Sequence, residues 1–421
     1  MSFKIKGFIG ILAFLFFYTT VLKGQTVPDG TEGEVFDTTY HKKRLLKRNF
    51  KNWNYFDTRL TTLKIGGGFL YDYVTHVQDE VSKEQLKCQS EFKTRDMRIA
   101  LSGQLKLKRE ITWKFGYMYD GANNQWLVRE SGVMINLPEL SGNVFIGRSK
   151  EGFSMNKIMN GYAGWTMERQ MGIDAIPILA DGIKYLGYYP KTRILFNIGA
   201  FADWLSYNQS FSTYEWQFIG RIGFLPIYSE PKKSILHIAM SARHASTEEG
   251  KIRVRSRPES NPSPYFVDTD VFSASRSTNL GFEAYYRSGP WMFGGEYSAH
   301  QFTSPSTNNP LFHGGELMAS WILTGESRTY MTNIGAFGFV PVKKSVFSGG
   351  PGALEVIFRV TNIDLDSGTL NGGTFWRITP MVNWYLSNNI RLELVYGYGS
   401  LNRFSKTGTT QFFQSRIQFM L

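Results

Sequence analysis

The segment KIRVRSRP, residues 251–258, sets Lys251, Arg253, Arg255 and Arg257 at every second position, with Ile252, Val254 and Ser256 between them. In an extended chain alternate side chains leave on opposite sides, so this spacing would align four cations along one side. Arginine keeps its charge at every relevant pH, and its planar fork matches phosphate or carboxylate oxygens. The chemistry on offer is anion binding without a covalent step. Nucleic acid, an acidic protein and a small ion are all candidate anions, and the elements that carry the row must decide among them.

The chain opens MSFKIKGFIGILAFLFFYTTVLKGQTVPDG, with Lys4 and Lys6 ahead of an apolar run from about Gly7 to Leu22, and Gly24 ahead of Gln25. Basic, apolar and small parts in that order predict a secretory signal peptide over residues 1–24; an uncleaved anchor is the alternative. The apolar run holds no cysteine, which argues against lipoprotein processing. The single cysteine, Cys88, excludes an intramolecular disulfide framework. Lys and Arg number 47 against 35 Asp and Glu. The leader holds three of the bases and none of the acids, so the exported chain keeps a net charge of roughly +9 and suits an anionic partner. No later segment is apolar for long enough to form a transmembrane helix. With aromatic residues at 15% and 42 glycines, two classes remain: a secreted all-β domain or an outer-membrane barrel.

Periodicity separates them. In EITWKFGYMYDG, residues 110–121, Ile111, Trp113, Phe115, Tyr117 and Tyr119 alternate with Thr112, Lys114, Gly116 and Met118, which is a strand pattern. It recurs in RIALSGQLKLK from Arg98, RILFNIGAFADW from Arg193, ILHIAMSARH from Ile235, LGFEAYYR from Leu280, FWRITPMVNWYL from Phe375 and IRLELVYGY from Ile390. Across the thirteen clearest strands of this kind one face is apolar and uncharged. The other carries thirteen cations: Lys64, Arg98, Lys106, Lys108, Lys114, Arg193, Arg221, Arg243, Arg287, Arg359, Arg377, Arg391 and Arg416. Seven carboxylates share that parity: Asp72, Asp203, Glu283, Glu296, Glu316, Glu355 and Glu393. A Lys or Arg facing lipid at mid-bilayer costs roughly 2–4 kcal/mol, so the charged face must line an enclosed lumen. The number and length of the strands, with aromatics near their ends, fit a lipid-facing wall better than a soluble sandwich.

Turns support the same reading. Short ones at Arg109, 138–142, 190–192, 288–290 and 387–389 fall on one side, and long connections at 74–90, 151–181, 245–276 and 303–312 on the other, as in barrels with short periplasmic turns. The expected fold is all-β, a transmembrane antiparallel β-barrel of sixteen strands over residues 60–421, provided that 323–350 is largely a periplasmic connection. Residues 25–59, with the basic run HKKRLLKRNFKNW from His41, read as a periplasmic extension.

Other chemistries fare worse. One Cys and scattered His lack zinc-site spacing, and no metal or other cofactor is expected. Nucleic-acid binding is disfavoured because export removes the chain from that substrate and no recognition motif accompanies the basic run. A lipid hydrolase needs a serine–histidine pair at the outer wall, whereas His237 and His300 have inward parity and His41 precedes the barrel.

GGPGALEVIFRVTNIDLDSGTLNGGTFWRITPMVNWYLSNNIRLELVYGY, residues 349–398, is similar to segments of the phosphate-selective porin O and P family. RIALSG at 98–103, IGRSKEGF at 146–153, MERQMG at 167–172 and LTGESRTY at 323–330 also resemble family segments, in the same order. The resemblance implies a trimeric outer-membrane channel, surrounded by lipid, whose third outer loop folds inward as a constriction. It also implies a basic path for phosphate or other small anions. On this chain that path would run from Lys251, Arg253, Arg255 and Arg257 to Arg95, Arg98, Lys150, Lys157 and Asn160. Arg95 is followed by Asp96 where the family commonly has two arginines, and the chain ends in Leu421 rather than an aromatic residue. A general porin, its positive field diluted by the seven carboxylates, is the alternative within transport.

Overall fold

Alternating side chains with period two demand a wall that is wet on one face and oily on the other. The computed structural model describes residues 53–203 and 214–421, and there the alternating segments build such a wall. In chain order its strands are β1 (Thr62–Gln78), β2 (Glu91–Leu105), β3 (Ile111–Asp120), β4 (Gln125–Val128 continued by Ser131–Leu137), β5 (Gly142–Ser149), β6 (Ala180–Tyr189), β7 (Ile194–Ala202) and β8 (Tyr214–Ser229). The second half comprises β9 (Ser234–Thr247), β10 (Arg276–Ser288), β11 (Trp291–Thr303), β12 (Leu311–Ile322), β13 (Ala353–Ser367), β14 (Leu370–Tyr385), β15 (Ile390–Arg403) and β16 (Lys406–Met420). Each pairs antiparallel with the next, and β1 pairs with β16 from Gly68↔Met420 to Gln78↔Thr410. The sixteen-strand sheet is therefore closed and leaves no edge. Tyr55–Asp57 adds a short strand against Thr62–Lys64. The expected signal peptide, the extension up to residue 52 and nearly all of the basic run from His41 lie outside the described residues.

Leu317 is 72% exposed, and Met240, Leu394 and Ile222 are exposed by 60% or more. Side chains like these, spread over the outer face of every sector, would be an aggregation surface in water; against acyl chains they cost nothing. Trp291 stacks on Trp321 with centroids 4.5 Å apart at the short-turn rim, and Tyr117 stacks on Trp126 at 5.2 Å towards the other rim, where amphipathic rings suit the interface. No helix among the described residues is long and apolar enough to cross a membrane.

Three of the cations expected along the lumen sit elsewhere. β2 ends at Leu105, so Lys106 and Lys108 lie exposed in the following turn, where Lys106 pairs with Asp57. Arg193 is exposed in the turn before β7, with φ 56°, and donates to Pro226 O. Period-two parity carried across a turn no longer reports which face a side chain takes.

The lumen is filled from both ends. From the long-loop rim, 150–179 and 248–275 turn inward; from the short-turn rim, 323–352 does the same. The last segment contributes no wall strand, which leaves the count at sixteen, yet it re-enters the bore rather than remaining outside: Ala336 and Phe337 are fully buried among Met155, Trp165, Tyr285 and Met381.

Candidate functional site

The third long loop, 150–179, is held by lumen-facing side chains from most of the wall. Glu296 on β11 accepts from Ser154 Oγ at 2.8 Å, Glu316 on β12 from Asn156 Nδ2 at 2.7 Å, and Asp96 on β2 from Tyr162 OH at 2.7 Å. Asn383 on β14 donates to Trp165 O at 2.8 Å, and Arg391 on β15 donates to Gly164 O at 2.6 Å. Tyr162 reaches the wall only because residue 68 is glycine: a Cβ there would stand 2.5 Å from the ring.

The cations of the opening segment have an equally local cause. Lys251–Ser256 pairs with Val267–Ser273 in a hairpin separate from the wall. Its Ile252 and Val254 bury against lumen-facing Phe302, Phe312, Phe375 and Phe412, which turns the arginines to the opposite side. There Arg253, Arg255 and Arg257 line a cavity of about 700 Å³ together with Arg95, Lys157 and Arg169 from the other predicted cluster and the third loop. Asp120, Glu168, Asp174, Glu248 and Glu259 share its lining. Lys251, at the exposed start of the hairpin, is not among its lining residues.

Several of these charges already have partners. Arg253 makes a two-point bond to Asp268 at 2.8 and 2.6 Å. Arg95 donates from Nε to Glu168 at 2.7 Å, and Glu259 pairs with Arg359 at 2.5 Å. Among the described residues no carboxylate ion-pairs with Arg255, Arg257, Arg169 or Lys157. Arg255 and Arg257 instead lie over the ring of Tyr265, at 4.0 and 4.4 Å from its centroid. Arg169 Nε is held by Asn156 O at 2.6 Å, and Lys157 Nζ by the carbonyls of Ile176 and Pro177. Burial pushes the Lys157 ammonium down to about 7 against the pull of Asp174 and Glu151, and burial likewise lifts Asp174 to about 6. Arg95 and Arg416 hold Glu168 far below the usual carboxylate range despite its burial.

A smaller cavity of about 30 Å³, the candidate narrow zone, is lined by Arg95, Arg98, Asn160, Glu168, Arg169 and Arg416 among others. Three of the five predicted constriction residues, Arg95, Arg98 and Asn160, meet there. Arg98 is compensated by Asp96 at 2.5 Å and lies over the Tyr162 ring at 4.3 Å. Lys157 belongs to the larger cavity, the candidate vestibule. Lys150 lines neither cavity: it is buried, with its ammonium on Met159 O and 3.8 Å from Glu130. Sequence reasoning missed Arg169. The chain shows it in MERQMG, but a loop has no alternation to reveal an inward cation.

Most of the lumen-parity cations are matched by carboxylates. Arg221 pairs with Glu283, Arg243 with Glu151, Arg359 with Glu259 and Glu316, Arg391 with Glu393, and Arg416 with Asp72 and Glu168. All five arginines are almost fully buried, where an uncompensated charge would cost several kcal/mol. Arg287 and Arg377 are buried too and donate to the carbonyls of Arg328 and Pro258. These side chains tether the inward segments. On the wall, Lys114 and Lys184 are less enclosed, flanking the Phe145 ring at 5.0 and 5.5 Å, with Glu130 2.8 Å from Lys114.

A closed sixteen-strand barrel with an oily exterior, constricted by inward segments around a charged vestibule, is the architecture of an outer-membrane channel. The chain belongs to the phosphate-selective porin O and P family, whose model matches residues 63–421. Its fold is similar to OmpT of Vibrio cholerae (TM-score 0.55, 10% identity, 87% of this chain and 100% of that one) and to an anion-selective porin from Comamonas acidovorans (0.54, 13%, 86% and 100%). The outer-membrane channel DcaP of Acinetobacter baumannii matches comparably (0.53, 10%, 87% and 99%). An uncharacterized protein of Caulobacter vibrioides is 28% identical over 168 residues, which span 38% of this chain and 33% of that protein.

Proposed function

We propose that the chain is a passive channel for small anions, with phosphate as the favoured solute. The observation that carries this reading is the shared cavity. Three cations without a carboxylate ion pair among the described residues, Arg255, Arg257 and Arg169, converge there from two loops, although the wall arginines are nearly all neutralised. An ion would be drawn in along Arg257 and Arg255, handed to Arg169 and Arg95 at the narrow zone, and passed towards the inner rim along Lys114 and Lys184. Conduction needs several sites of comparable, moderate depth rather than one trap. Partial compensation by Glu168, Asp96 and Glu130 supplies that moderation.

Membership of the family and the likeness to an anion-selective porin of Comamonas acidovorans favour anions, and the trimer form of in-vitro folded Vibrio cholerae OmpT favours a homotrimer. Phosphate added to chloride-bathed single channels should reduce chloride current saturably. A chloride current indifferent to phosphate would favour the general-porin reading.

A further inference from the structure

Among the three consecutive carbonyls of the third loop that face the wall, two are held from the wall itself: Gly164 O by Arg391 and Trp165 O by Asn383. The third, Ala163 O, is held by a residue of the inward segment that enters from the short-turn rim. Arg328 Nη1 donates to it at 2.6 Å and to Gly338 O of its own segment at 3.1 Å. The Nη2 of the same guanidinium donates to both oxygens of Glu355 on β13, at 3.0 and 2.9 Å, and to Tyr385 OH on β14 at 3.1 Å. One fork therefore touches two of the three inward segments and two wall strands while 2% exposed.

Packing follows the same line. Trp165 of the third loop sits between Tyr285 of the wall, at 5.1 Å, and Phe337 of the inner segment, at 6.3 Å. That inner segment is pinned on its far flank by Arg221 to Gly335 O at 2.9 Å and by His237 to Tyr330 OH at 2.8 Å. Glu168 and Arg169, which line the narrow cavity, follow Trp165 by three and four residues.

We propose that Arg328 is a positioning residue that joins the segment entering from the short-turn rim to the third loop, so that the width of the narrow zone is set from both ends of the bore together. A packed assembly with a shared polar hub moves as a unit or not at all, since a half-satisfied buried network is unstable. The inference rests on the channel reading but not on which anion passes.

The test is single-channel recording of purified protein in planar bilayers, comparing the native chain with Arg328→Gln, Arg328→Lys and the exposed inner-segment control Lys343→Ala. Lysine keeps the charge opposite Glu355 but has one nitrogen and cannot span Glu355 and Ala163 O together. Both Arg328 variants should show raised mean conductance and sub-conductance steps, with Lys343→Ala unchanged. Native behaviour in Arg328→Lys would reduce the residue to a charge partner of Glu355 and overturn the coupling. Should the Gln variant fail to fold, as read by its gel mobility before heating, the Lys variant decides alone. A native chain that forms no channel would overturn the channel reading instead.

Discussion

Replacing Arg255 and Arg257 together by alanine removes two vestibule charges that have no carboxylate partner among the described residues. A unit charge at about 4 Å from an anion contributes roughly 1 kcal/mol in a water-like dielectric and about 4 kcal/mol at an effective dielectric of 20. Arg255 and Arg257 are partly exposed, so the lower figure applies, and two cations contribute about 2 kcal/mol to drawing an anion in. That corresponds to roughly a thirtyfold enrichment at closest approach, which ion motion averages down to a severalfold effect on current. Screening sets the salt dependence: the Debye length is about 30 Å at 0.01 M and about 3 Å at 1 M. The double variant should therefore lose anion conductance severalfold in dilute KCl and almost none in 1 M KCl, measured channel by channel. Arg253→Ala with Asp268→Ala removes a neutral pair and should conduct like the native chain in both. Equal conductance of the Arg255/Arg257 variant and the native chain in dilute salt would refute the assignment of these arginines as the entrance.

Vestibule charge should also respond to pH. Burial lowers the Lys157 ammonium to about 7 and raises the Asp174 carboxyl to about 6, both towards neutrality, so the vestibule loses positive charge as pH rises through that range. Anion preference from KCl reversal potentials should fall across that interval; a constant preference would contradict it. Gly68→Ala drives a methyl into Tyr162, at a cost of about 1–3 kcal/mol for overpacking, and should loosen the loop contact with Asp96, visible as noisier open-channel current. Ile222→Lys, in the middle of β8 on the lipid face, should destabilise the folded barrel by about 2–4 kcal/mol in vesicle unfolding titrations, whereas the same change on a water-facing surface would be silent.

The wall was legible because lipid and lumen impose period two on every strand, so Phe218, Ile222 and Met240 faced outward as their parity required. The inward segments were less legible. Phe302, Phe312, Phe375 and Met381 carry lumen parity yet are apolar, because loop and hairpin pack on them. Read alone they look like lapses in the alternation; together they report that the bore is filled. The arginines of KIRVRSRP could be placed on one side from spacing, but not divided into the one bound by Asp268 and the two over Tyr265. Asp268 lies on the partner strand and Tyr265 in the connection before it, where the spacing of the arginines carries no information. Lys106, Lys108 and Arg193 were misplaced because strand ends, not strand interiors, decide where parity stops.

A bore framed by neutralised arginines should take its net sign from the few vestibule cations that have no carboxylate ion pair among the described residues. Purified protein in planar bilayers under a KCl gradient tests this most directly through the zero-current potential. The potential should be displaced towards the chloride equilibrium value; displacement towards the potassium value would rule out an anion-selective bore.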